Sequence, residues 1–161
     1  MKRRALASVA LGAAVLLGTT GCNMLAPQAT TIHYSAAEGM NVPDATAPVA
    51  VRNAFFVVND ADHSQANLVA VFVNNSSEAA SVTVQYDGAG GTLTFAPHEA
   101  RSYGIDGQNL TVTGDFNLGG TAKTTFQTND AEPVTVDLPV LNGDLDYLES
   151  AVPAPAETPA E

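Results

Sequence analysis

From Val49 onward the chain carries strand patterns, alternating apolar and polar positions with a period of two from Ser81, and no stretch carries a helical period. Val82, Val84 and Tyr86 point one way while Ser81, Thr83 and Gln85 point the other. Leu93 and Phe95 repeat the pattern against Thr92 and Thr94, as do Leu110 and Val112 around Thr111. Val134, Val136 and Leu138 close the series against Thr135 and Asp137. Alternation in segments rich in Val, Thr and Phe marks strands with one buried face. Two earlier segments differ. Residues 49–59 and 66–74 are apolar on both faces, unbroken from Leu68 to Val73, which predicts central strands. Clusters of turn-forming residues separate the segments, at Asp60–Gln65, Asn74–Ser77, Asp87–Gly91, Asp106–Asn109 and Asn117–Gly120.

About seven short strands at these spacings predict an all-β fold, an antiparallel two-sheet sandwich of immunoglobulin-like or cupredoxin-like form. Cys22 is the only cysteine, so no disulfide can staple the sandwich and the core must hold by packing. A domain of roughly 100 residues is large enough for that. Residues 22–48 are rich in Ala, Thr and Pro with little periodicity and read as a tether, which if flexible spans roughly 28 Å. Whether residues 32–40 join the domain is open at this level. The domain itself is expected over 49–142. Residues 143–161, rich in Pro, Ala and acidic side chains, read as a disordered tail.

The chain opens with Lys2, Arg3 and Arg4, then an uncharged run from Ala5 to Leu17, then Gly18, Thr19, Thr20 and Gly21 before Cys22. A basic head, a short apolar run and a small-residue exit is the layout of an export signal, here residues 1–21. The run is too short for a spanning helix, which needs about 20 residues. A lone thiol directly after the small residues resembles the lipobox of bacterial lipoproteins, with Thr19 where that family usually has Leu. The resemblance implies a diacylglyceryl lipid on Cys22 and an outward-facing protein anchored in the cell membrane through that lipid. Thiolate chemistry suits the attachment.

Charge narrows the partners. Without residues 1–21 the basic side chains are Arg52, Arg101 and Lys123 against 17 acidic ones, a formal charge of 3 − 17 = −14. Such a surface repels nucleic acid, whose binding needs clustered Lys and Arg. It also leaves the lipid as the sole membrane attraction, because anionic lipids offer this surface nothing. An envelope protein partner is compatible with all of this, and no residue names one.

The strand from Ala66 to Asn75, then Ser81 to Tyr86, Phe95-Ala96-Pro97-His98-Glu99, the segment from Gly114 to Gly120 and finally Val134 to Leu141 follow in an order with family precedent. Over about residues 34–142 the chain resembles small actinobacterial surface lipoproteins of the Lpq type, and more distantly the periplasmic copper-chaperone sandwich. The first resemblance implies a cell-surface β-sandwich acting as a non-enzymatic binding or envelope-structural module. The second implies Cu(I) held by His and Met, including a His-x-Met pair after the Asn-bearing strand; soft thioethers do favour Cu(I). Here Asn74 and Asn75 end that strand and no His-x-Met follows. The available copper ligands are His33, Met40, His63 and His98, with Gln65 where a Met two after His63 would stand. The plain alternative is histidines exposed in turns.

Other chemistry finds weaker footing. Asp87-Gly88-Ala89-Gly90-Gly91 joins two strands, whereas a phosphate loop opens a helix. Asn59-Asp60-Ala61-Asp62-His63 and Asn142-Gly143-Asp144-Leu145-Asp146 carry spaced oxygens of the kind Ca²⁺ accepts, yet neither meets the EF-hand pattern. Asx turns explain both. No Gly-x-Ser-x-Gly elbow is present, and His98 and Glu99, being adjacent, would face opposite ways on a strand. The expectation is therefore no enzyme and no catalytic residue.

Overall fold

The computed structural model describes residues 37–43, 47–105 and 108–155. The readings that fall on the signal segment, Cys22 and His33 lie outside the described residues. Eight strands follow in order: β1 (Val49–Asn59), β2 (Asp62–Asn74), β3 (Ala80–Tyr86), β4 (Ala89–Phe95), β5 (Ala100–Tyr103), β6 (Thr111–Thr113), β7 (Thr121–Thr128) and β8 (Val134–Leu141). They make an all-β sandwich. One layer holds β1, β2, β5 and β6; the other holds β4, β3, β7 and β8 in that order. The layers meet at one seam, where β1 and β8 run parallel and pair at Phe56–Val140 and Val57–Leu141. That seam is the exception to the antiparallel expectation.

The period-two pattern explains the interior. Val82, Val84, Phe95 and Leu138 are fully buried from one layer, and Phe56, Val58, Leu68 and Phe72 from the other. Aromatic pairs knit the layers, Phe56 tilted against Phe116 at 5.0 Å and Tyr86 stacked on Phe116 at 4.6 Å between ring centroids. The β3–β4 hairpin turns on Asp87 and Gly88, with φ of 47° and 80°. Two successive positive φ values match the twist of the flanking strands, which is why an Asp-Gly pair stands there.

Three expectations need correction. The first turn is only Asp60 and Ala61, and β2 begins at Asp62. The strands β5 and β7 are invisible to the apolar count because their inward positions are largely polar. In β7 the buried series is Ala122, Thr124, Phe126 and Thr128. Thr124 is fully buried, and its hydroxyl donates to the Ala122 carbonyl at 3.0 Å.

The folded part also runs past both expected limits. Met40 bridges Ala54, and the Val42 amide donates to the Val51 carbonyl at 3.1 Å, so residues 40–42 line the edge of β1. At the other end a 3₁₀ helix, Asp146–Ala151, buries Leu148 and Ala151 against the outward side chains Phe55, Val57 and Val69. Beyond it the chain is tied by side-chain amides: Asn67 Nδ2 donates to Ala151 O at 3.0 Å, Asn59 Nδ2 to Pro153 O at 3.4 Å, and Gln65 Nε2 to Ala154 O. Composition gave no sign of this docking, since two apolar contacts and a few amides suffice for it.

Candidate functional site

The metal-capable side chains stand on separate elements. His63 is the second residue of β2, where the turn expectation had left it outside the strand. Its carbonyl accepts from the Phe116 amide at 3.1 Å, and its Nε2 is buried without a hydrogen-bond partner among the described residues. His98 lies at the far end of the same strand. Its amide donates to the Ser76 carbonyl at 3.2 Å, two residues after β2 ends, and its φ is +56° in an exposed turn. From His63 to Asn74 is a rise of about 36 Å at 3.3 Å per residue. Both histidines cannot bind one ion. Met40, 42% exposed, pairs with Ala54 in the middle of β1, away from either histidine along the strands. Among the described residues no three His, Cys, Asp or Glu gather as a metal site. Among the described residues, His63, His98 and Met40 thus do not fit a shared copper centre.

The turn after β2 is instead a structural hub. Asn74, 1% exposed, donates through Nδ2 to Glu78 O at 2.8 Å and Ala96 O at 2.9 Å. Its Oδ1 accepts from the Ser76 amide at 3.0 Å and the Ser76 hydroxyl at 2.8 Å. One buried amide therefore closes two neighbouring turns. Beside it Glu99 folds back over its own turn, accepting from the Ala96 amide at 2.6 Å and from Arg101 Nε at 2.8 Å. The Ala96 amide first, and the Arg101 guanidinium second, hold the Glu99 carboxyl below its ordinary range. Arg101 in turn lies over the Phe95 ring, 5.1 Å from its centroid. Glu99 thus works as a brace, and His98 is not its partner.

The two oxygen-rich stretches do meet in space. Asn142 Nδ2 donates to Asp60 Oδ1 at 2.9 Å. Asx turns engage Asn59 Oδ1, which accepts from Ala61 N, and Asp62 Oδ1, which accepts from Ser64 N, both at 2.9 Å, and in the second stretch Asn142 Oδ1, which accepts from Asp144 N at 3.4 Å. On the same side of the domain Tyr147 donates to Glu38 at 2.6 Å, and that bond holds the Glu38 carboxyl below its ordinary range. Sequence reasoning missed both Asn74 and the docking of residues 146–155. An Asn-x-Ser at a strand end was the available signal for the first.

No protein-family model matches the chain, and no curated protein matches it in sequence. Solved structures do resemble its backbone. The apo PmoF2 PCuAC domain matches with a TM-score of 0.53 at 14% identity, over 66% of this chain and 98% of that one. The copper-bound PCuAC domain from PmoF2 (TM-score 0.48, 14% identity, 65% and 97% covered) and the apo PCuAC domain from PmoF1 (0.48, 13%, 63% and 97%) are also similar. At such identities the likeness is one of fold.

Proposed function

We propose that the chain is an exported lipoprotein, held outside the membrane by a diacylglyceryl group on Cys22, whose sandwich serves as a non-enzymatic binding or envelope-structural module. The observation that carries the module reading is a PCuAC-like backbone in which His63, on β2, and His98, in the turn beside the far end of β2, stand about 36 Å apart. A fold can be kept while its site is rebuilt, so architecture and function are argued separately. The charge of the chain supports an extracellular role without nucleic acid or an electrostatic hold on lipid.

Copper binding is the second reading, favoured by the likeness to the apo PmoF2 PCuAC domain. Under it Cu(I) is cargo, and its ligands would have to include residues other than a His63–His98 pair. Competitive titration of the full chain with Cu(I) against a calibrated chelator separates the two. The module reading expects no stoichiometric tight site; one tight equivalent lost on Met40→Leu would replace it with the copper reading. Anchoring has its own test. Cys22→Ser should move the protein from the membrane fraction to the medium, and retention in the membrane would refute the lipid.

A further inference from the structure

At one end of the sandwich the two layers part. β1 and β8 pair only at Phe56–Val140 and Val57–Leu141, leaving the first halves of both strands without each other. A cavity of about 430 Å³ lies between them. Its walls are Val42, Val49, Val51 and Phe126, each no more than 4% exposed. The cleft is half open to solvent, and its volume falls in the range of about 300–1,000 Å³ that small-molecule pockets occupy.

The mouth has a sign. Glu132, exposed in the β7–β8 loop, is the only charged residue among the described residues of the lining, accompanied by Thr128 and Thr135. Arg52 follows Val51 in β1, so its side chain leaves the strand on the face opposite to Val51. Its guanidinium donates to the Val42 and Val51 carbonyls at 3.4 and 3.1 Å, fixing the strap that forms one wall. With a formal net charge of −11 the chain as a whole also favours a cation at this mouth.

A polypeptide strand is a poor occupant. Val140 directs its amide to Gly120 at 3.1 Å, on the β7 side, so Pro139, Asp137 and Thr135 face the open edge. A proline without an N–H and a carboxylate are the devices that blunt strand addition.

We propose that this cavity binds a small cationic amphiphile, its apolar body between the layers and its ammonium at the Glu132 carboxylate. The proposal rests on reading the domain as a binding module and gives that module a ligand class. The test uses the full chain with decyltrimethylammonium and decyl sulfate, each below its micelle concentration, followed by calorimetry and methyl NMR. Decyltrimethylammonium should bind one to one, shift the Val49 and Val51 methyls, and exceed decyl sulfate in affinity by about 5-fold, as one screened charge pair allows. Glu132→Gln should bring the two probes within about 2-fold of each other. Val51→Phe should narrow the cavity and weaken binding of both probes; if that variant fails to fold, the exposed Glu132→Gln change still decides. Equal affinity for both probes, shifts at Val57 and Val71 in place of Val49 and Val51, or no binding at all would overturn the proposal. None of these outcomes touches the module reading, which stands or falls on the copper titration and on Cys22→Ser fractionation.

Discussion

Leu148→Ala probes whether residues 146–155 belong to the folded domain. Leu148 is fully buried and packs with Phe55, Val57, Val69 and Ala151 in a cluster on the outer face of β1 and β2, apart from the main core. Burying a leucine and then truncating it to alanine costs about 2–5 kcal/mol, depending on how well the site collapses. This cluster is covered by a single short helix, so water and side-chain relaxation can reach it. The expected loss is therefore at the low end, about 2–3 kcal/mol. For a domain of this size that lowers the melting temperature by roughly 8–15 °C. The chain has no tryptophan, so urea and thermal unfolding are followed by far-ultraviolet circular dichroism and tyrosine emission. Truncation after Leu145 should cost more, because it removes Ala151 as well as Leu148 from the cluster and exchanges the Asn67 Nδ2–Ala151 O hydrogen bond for water, itself worth about 0.5–1.5 kcal/mol. The truncated chain should also bind a hydrophobic dye at the uncovered Phe55 and Val57. A disordered tail predicts no change from either variant. A shift below about 0.5 kcal/mol for Leu148→Ala, the scale of an ordinary surface substitution, would refute the docking.

Asn74→Ala should destabilise by about 2–3 kcal/mol, since it strands the Glu78 and Ala96 carbonyls and the Ser76 amide at once; a urea midpoint unchanged from the parent would show that the hub is redundant. Glu99 sets a pH dependence. Its carboxyl is held below the ordinary 4.5 by the Ala96 amide and Arg101, so its contribution to stability is present above that value and is lost as the pH falls through the lowered folded value. The gap in urea midpoint between the parent and Glu99→Gln should thus be full at pH 7 and close under acid conditions, and a gap that persists undiminished at pH 3 would place its origin elsewhere than in the charge.

The legible part of this fold was the part where apolar residues do the inward packing. β1 runs over the residues its pattern gave, and Val82, Val84, Phe95 and Leu138 are buried as alternation requires. Legibility failed wherever polar atoms face inward with a local partner. Thr124 and Thr128 disguise β7, and the four-residue β5 offers only Tyr103 as a buried side chain. The cavity was hidden for a different reason. It arises from the short register of the β1–β8 seam, and pairing between strands distant in sequence leaves no periodic trace in either. Ligand positions were the least legible, because a histidine's neighbours are set by topology. His63 stands at the start of β2, and His98 stands in the β4–β5 turn beside the other end of that strand.

The loop after β2 shows why the fold alone does not carry copper chemistry across. In the copper-chaperone pattern a His-x-Met pair would follow the Asn-bearing strand. Here that strand is followed by Asn75, Ser76, Ser77 and Glu78, and the Ser76 hydroxyl and the Glu78 carbonyl are engaged in closing the turn. The Ser76 hydroxyl bonds both Asn74 Oδ1, at 2.8 Å, and the Glu78 carbonyl, at 2.9 Å, while Asn75 donates its amide to Pro48. Hard oxygens engaged in turn closure are poor company for a soft cation, which selects thioether and imidazole donors. Introducing His and Met at Ser76 and Glu78 would remove the Ser76 hydroxyl that joins Asn74 to the Glu78 carbonyl, and so loosen the turn needed to aim those ligands. Copper binding by the native chain must therefore come from residues outside this loop, and the same hydrogen bonds that displace a metal here make the end of β2 a rigid support beside the open mouth at Val49 and Val51.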